Sequence, residues 1–474
     1  MHFIIKCIIA VLLANVCLQA HAGVSDFPII SNKRIINVVL EKGHWTEYVK
    51  KNLAPEFTKQ TGVKVNIIEL KLADMLEVQV ESFVNASAKY DVVTLEAGWA
   101  KEWAAKGYTR PLNTLANKFD STKKDWNNFL APFFPSLVEI LSYKDVLYSI
   151  PYNTYVMGNH YRLDLFEDKS EQKAFYGRFN YQLNPPKSLE QLKDIALFFT
   201  RKKGELLKGK PLNNDFYGVA LMSGNKPHIN DEWSSILWAK GGKWFQPNYI
   251  NNQLANFSLP ENYELLHETA KYYIDLKKYA VPANDEFAYI EAAQALSHGK
   301  VAMWPFAYNN LWIKSSEKNS TDKEQKFAVY GTPGGKPYHG AYAFSVAYNS
   351  KNPEAAFWFI RYMTSKKGQL NYASGGGNST RKDVNLELTN ALDKASSQYS
   401  AYKSTFKASM AWSGIIERHG HYMSTAMGTI YTLLQHYTYL ISNEKIEIQK
   451  GVDELMLKIL QAQNEVGEKA MVFH

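Results

Sequence analysis

Acids and amides recur beside aromatic rings along this chain: Glu41 lies near Trp45, Glu96 near Trp99, Asn153 near Tyr155 and Asp231 near Trp233. Trp304 is followed by Tyr308, and Tyr338-His339 leads into Tyr342. A planar carboxylate or amide takes hydroxyl hydrogen bonds in pairs, and a flat ring covers an apolar face. The pairing therefore suits a ligand that offers both, a hydroxylated ring above all. Arg381 follows Gly375-Gly376-Gly377-Asn378, a stretch that lets backbone approach a ligand. Each candidate has a structural alternative. Trp45 and Trp99 can start helices, Glu96 and Asp231 can cap them, Trp304 can be core, and a loop arginine is usually solvated.

Motifs for bond-making chemistry are incomplete. His267-Glu268 is followed by Thr269-Ala270-Lys271, so the second histidine of a zinc-protease helix is missing. Gly375-Gly376-Gly377 lacks the Lys-Ser/Thr of a phosphate loop, and Ser413 lacks the first glycine of a nucleophile elbow. His419-Gly420-His421 does not have metal-ligand spacing on a helix. No catalytic residue, metal or cofactor is expected. A glycosidase needs two carboxylates about 5–10 Å apart, and Glu41, Glu96 and Asp231 leave such a pair open.

The elements that must position these residues begin with a strand over 35–40, a helix over 45–59, a strand over 63–70, a helix over 72–84 and a buried strand over 90–95. Strand and helix in alternation mean an α/β protein with a mostly parallel sheet, whose ligands sit at the carboxyl ends of the strands. Glu41 and Glu96 stand at two such ends. From Asn352-Pro353 onward the pattern is helical.

The totals bound the class. A chain of 474 residues exceeds what one core fills, so two lobes are expected. The net charge of +8 is spread over short pairs such as Lys50-Lys51 and Lys202-Lys203, which argues against nucleic acid. The 14% aromatic content, with 11 Trp, is more than a core needs and fits ring stacking. Lys6, the apolar run from Cys7 to Cys17 and Ala20-His21-Ala22 form an export signal over residues 1–22, with the mature chain starting at Gly23. Both cysteines lie inside it. Ala14-Asn15-Val16 before Cys17 is a poor context for lipidation, so release into a Gram-negative periplasm is expected.

Five stretches in order resemble the bacterial extracellular sugar-binding proteins, the group that includes maltose-binding protein. They are YDVVTLEAGWAKEWAAKGYTRPL, VLYSIPYNTYVMGNHYRLDLF, ILWAKGGKWF, ALSHGKVAMWPF and YHGAYAFSVAYNSKNPEAAFWFIRYMTS. The sequence departs from the family pattern at His160-Tyr161-Arg162 and at Trp304-Pro305-Phe306, which leaves the ligand subclass open. The resemblance implies a two-lobe, hinge-linked periplasmic binding protein fold of type II. One lobe would comprise residues 23–153 with about 345–385, the other 154–344 with about 386–474. It implies a monomeric importer component that carries a sugar, oligosaccharide or polyol to the membrane permease of an ATP-driven transporter. Trp99 then faces the cleft, and Asn153 and Tyr155 fall where the chain crosses between lobes. An exported glycosidase, or a binder of a non-sugar ligand such as a polyamine, is the competing reading.

Overall fold

The computed structural model describes residues 27–30, 34–120, 126–250, 253–316, 320, 322, 324–392, 422–467 and 470–471. The export signal with its cysteines, Ser413 and His419-Gly420-His421 lie outside the described residues.

Strand β1 (Ile35–Glu41) leads through α1 (His44–Tyr48), a π turn at Val49–Leu53 and α2 (Ala54–Thr61) to β2 (Lys64–Leu70). Helix α3 (Leu72–Val84) then connects to β3 (Val92–Glu96), and one 3₁₀ turn at Ala97–Trp99 leads into α4 (Ala100–Ala105). The helix expected over 45–59 is thus present but interrupted by the π turn. Val38, Val39 and Leu40 are fully buried, as are Val92, Val93 and Leu95, because helices cover both faces of this part of the sheet.

The rest of the sheet is built from β4 (Ile150–Arg162), β5 (Tyr217–Val219), β6 (Val301–Tyr308), β7 (Phe327–Gly331) and β8 (His339–Val346). Helix α5 (His228–Ala239) lies between β5 and β6. After β8 come α6 (Pro353–Met363), α7 (Lys366–Ser374), α8 (Met427–Ser442) and α9 (Ile448–Glu465), in keeping with the helical pattern expected there.

All eight strands share one sheet in the order β2-β1-β3-β8-β4-β6-β5, with β7 also paired to β4. The parallel ladders lie at the flanks, where β1 pairs with β2 and β3, and β5 with β6. Between them β8 runs antiparallel to β3 and β4, and β4 antiparallel to β6 and β7.

Strand β4 serves two sets of neighbours. Ile150–Val156 pairs with β8, and Met157–Arg162 with β6 and β7. All of its residues are buried, so its polar side chains need internal partners. Asn153 Oδ1 accepts from the Asn378 amide at 3.0 Å, and Thr154 Oγ1 meets His339 Nε2 at 2.9 Å. His160 Nδ1 meets Ser315 Oγ at 2.8 Å, and the Arg162 Nε donates to Asp164 at 2.7 Å. The β4–β6 register shifts between Trp304 and Ala307, beside Pro305, which has no N–H to give to a ladder.

Candidate functional site

Strands β1 and β6 end at one cavity that holds about 360 Å³ of space, part of it open to solvent, and β3 ends just behind its wall. Glu41, the last residue of β1, lies on its wall. Glu41 Oε1 accepts from the Tyr289 hydroxyl at 3.4 Å. Beyond it the chain turns at Gly43, where an added Cβ would sit 2.6 Å from the Trp45 indole. A glycine there lets Trp45 fold back onto the cavity wall, and the indole Nε1 has no partner among the described residues.

From β4 the Tyr155 ring enters the wall, edge-on to Tyr308 with 5.2 Å between ring centres. Its hydroxyl donates to Glu96 Oε1 at 3.1 Å, and the Gly98 amide donates to Oε2 at 2.6 Å. Glu96 therefore stands behind Tyr155 and at the same time caps the turn that follows β3. Gly340 on β8 lies under that ring; a Cβ there would be 2.3 Å from the Tyr155 hydroxyl oxygen. Tyr342, also on β8 and in register with Glu96, lines the cavity.

Asp231, in the first turn of α5, faces the cavity from the other side. Tyr308 at the end of β6 donates to its Oδ2, and Tyr431 of α8 donates to Oδ1 at 3.0 Å. His228, one turn earlier, lies edge-on to Tyr289 at 4.7 Å, and its Nδ1 has no partner among the described residues. Leu72, Asn310 and Leu311 complete the wall.

Burial sets the electrostatics. It pushes the Glu41 carboxyl up to about 7, against the opposing hydroxyls of Tyr342 and Tyr289. Glu96 is likewise raised to about 7 by burial, opposed by the Gly98 amide and the hydroxyls of Tyr155 and Tyr338. Asp231 is held well above the usual carboxylate range by burial, opposed by Tyr308 and Tyr431, with Glu96 and Glu232 adding repulsion. Burial lowers His228 to about 3, so its ring is neutral. The neighbouring Glu232 turns away from the cavity, accepting from the Met222 amide at 2.9 Å and from Tyr273 at 2.6 Å.

Of the residues singled out in the sequence, Glu41, Trp45, Tyr155, Asp231, Tyr308 and Tyr342 come together on the wall, with Glu96 directly behind it. The others lie elsewhere. Trp99 is buried and stacks on Trp103 at 5.9 Å. Asn153 sits in the β4–β8 ladder, and Trp304 is fully buried, edge-on to His160. Trp233, on α5, donates its Nε1 to Ser442 Oγ at 2.9 Å. Arg381 pairs with Asp383 through Nε at 3.0 Å and Nη2 at 2.8 Å, and lines a separate groove.

Six wall residues escaped the sequence reading: Leu72, His228, Tyr289, Asn310, Leu311 and Tyr431. His228 had a usable signal, since it is three residues before Asp231 and helix geometry places both on one face. Tyr431 had none, because it comes from a helix that is 200 residues beyond Asp231 and buries tyrosines on several sides. Among the described residues no group of three or more His, Cys, Asp or Glu is arranged to hold a metal, and no helix is long and apolar enough to cross a membrane.

An α/β sheet curled around shared central strands, with an aromatic and carboxylate-lined cavity at its strand ends, defines a two-lobe binding-protein fold of the periplasmic type II class. The model of the bacterial extracellular solute-binding proteins matches residues 42–370, and the chain belongs to that family. An ABC transporter solute-binding protein from Agrobacterium radiobacter K84, solved with ribitol, has a TM-score of 0.68 at 19% identity, over 91% of this chain and 98% of that one. A counterpart from Thermotoga lettingae with α-D-tagatose has a TM-score of 0.65 at 18% identity, over 91% and 100%. The GacH receptor of Streptomyces glaucescens, solved with acarbose, has a TM-score of 0.67 at 15% identity, over 91% and 99%. At these identities the likeness carries the fold. A search of curated proteins found no significant match.

Proposed function

We propose that this chain is the periplasmic binding component of an ABC importer, and that it captures a carbohydrate or polyol in the cavity and hands it unchanged to the permease. The observation that carries this is the wall itself: the aromatic side chains of Trp45, Tyr155 and Tyr342 stand beside the carboxyls of Glu41 and Asp231. That combination matches the two surfaces of a sugar ring, and structural neighbours solved with ribitol, tagatose and acarbose fit the same reading.

The export signal over 1–22 supports release into the periplasm, and a monomer is the working form. In this reading the lobes are residues 23–153 with about 345–385 and 154–344 with about 386–474. A thermal-shift screen over mono-, di- and trisaccharides and polyols tests the function. A true ligand at 100 times its Kd stabilises the folded state by about 2.7 kcal/mol, and it should be recovered intact. No shift across the panel, or a cleaved ligand, would overturn the proposal.

A further inference from the structure

Among the described residues the cavity is acidic without a counter-charge. Glu41 and Asp231 line it and Glu96 stands behind Tyr155, yet none of the three forms an ion pair with any described residue. Among the described residues no lysine or arginine is on the wall, and the one histidine there is His228. Tyrosine hydroxyls are the partners of all three acids. Neutral donors hold a buried carboxyl in place but do not offset the charge it carries when ionised; an uncompensated buried charge is costly, so the empty cavity favours the protonated acids and a bound cation would favour their ionised form. A neutral sugar would leave that imbalance in place when it displaces water.

A second observation is independent of the acids. The Trp45 Nε1 has no partner among the described residues, in a residue only 4% exposed that belongs to the cavity wall. An indole N–H donates only, so it needs an acceptor. An ammonium group has none to give, whereas a hydroxyl or ring oxygen has. The wall therefore asks for a cation and for oxygen acceptors in one molecule.

We infer that the ligand is a carbohydrate or polyol that carries a protonated amine, with the ammonium directed to Asp231 and Glu41 and the hydroxylated body set against the rings. This rests on the carbohydrate reading above and narrows it to amino sugars and related aminated polyols. An ammonium over an aromatic face gains a further cation–π contribution, and Trp45 and five tyrosines are among the wall residues.

Calorimetry with matched pairs tests it: D-glucosamine against D-glucose, D-galactosamine against D-galactose, and deacetylated chitobiose against cellobiose, with spermidine as a linear amine. In at least one pair the amine is expected to bind about 30-fold or more tighter than its neutral twin, the ratio that follows from a desolvated charge pair. In Asp231→Asn and Glu41→Gln that ratio should fall towards one. The melting temperature of each empty variant should stay close to or above that of the parent, since the amide is neutral like the protonated acid it replaces and nearly the same shape; this keeps loss of folding separate from loss of preference. Neutral sugars binding as well as their amines would overturn the inference and leave the proposed function standing. Spermidine binding without any sugar would overturn both, as would an absence of binding throughout.

Discussion

Tyr431 donates its hydroxyl to Oδ1 of Asp231 at 3.0 Å, while Tyr308 donates to Oδ2 of the same carboxylate. One tyrosine comes from the C-terminal helix α8, the other from the end of β6, so the acid of α5 is aimed by two separate parts of the chain. Such an arrangement presets a carboxylate and leaves its remaining lone pairs for a ligand.

Removing one of these hydroxyls should therefore harm binding more than folding. In Tyr431→Phe the ring still fills its place, and Asp231 loses one donor. An affinity loss of about tenfold is expected, the size of one hydrogen bond to a charged group, with a small change in melting temperature. Calorimetry on the ligand found by screening, paired with thermal denaturation, checks this. Unchanged affinity would mean that Asp231 is oriented by Tyr308 alone.

The tryptophans should separate into two kinds. Trp45 lies on the cavity wall, and Trp304 is fully buried away from it. Trp45→Ala is expected to weaken binding by about 1–3 kcal/mol, as aromatic anchors do, with modest loss of stability. Trp304→Ala should instead cost about 3–5 kcal/mol of folding free energy through the space it leaves. The opposite pattern in the two assays would place the ligand against β6 rather than against α1.

How far the sequence reached depends on range. The β-branched run at 35–40 and the periodicity of 72–84 announced β1 and α3 because local pattern decides both. The ends of β1 and β3 marked Glu41 and Glu96 by a rule that needs only strand direction. Pairing by nearness along the chain was less reliable. Asp231 and Trp233 are two positions apart on α5, and a helix turns such neighbours to different faces, one to the cavity and one to Ser442. Trp304 and Tyr308 share β6, but the irregularity at Pro305 breaks the simple alternation between them. Tyr289 and Tyr431 reach the acids only through tertiary packing, which no window of sequence contains.

The buried acids also predict how stability follows pH. Glu232 is raised to about 8 and Glu41 and Glu96 to about 7, in each case chiefly by burial. Around them stand Tyr289, Tyr342, Tyr155, Tyr338, Tyr273 and the Asp231 carboxyl, with no cation acting on these acids among the described residues. A folded acid with a raised value holds a proton that the unfolded chain has already released, so its contribution is greatest in acid and is lost as pH rises through the folded value. Buried His160, His228 and His339 act oppositely. Burial lowers them to about 3, 3 and 4, so they destabilise once pH falls below the ordinary histidine value. The melting temperature of the empty protein should therefore rise as pH drops from about 8.5 to about 6.5, then flatten or reverse. Glu96→Gln should shrink the upper slope. A melting temperature that climbs steadily toward alkaline pH would contradict the burial of these acids.

Closure is the remaining consequence of the topology. Strand β4 passes from pairing with β8 to pairing with β6 and β7 within a few residues, and the change falls between Val156 and Met157. Just before it, Asn153 Oδ1 accepts from the Asn378 amide at 3.0 Å, and the Thr154 amide donates to Asn378 O at 3.2 Å, which ties a third segment to the same place. The cavity wall draws Glu41 and Trp45 from the part of the sheet that holds β1 and β3, and Asp231 and Tyr308 from α5 and the end of β6. A ligand that touches both sets binds a closed form better than an open one and shifts the population toward it. Small-angle scattering should accordingly show a smaller radius of gyration when ligand is added. Asn153→Ala, which removes the side-chain tie to Asn378 but leaves the Thr154 backbone bond and the wall in place, should alter the radius of the empty protein more than that of the complex. A radius that stays the same with and without ligand, in the parent and in the variant, would mean that the cavity forms without hinge motion.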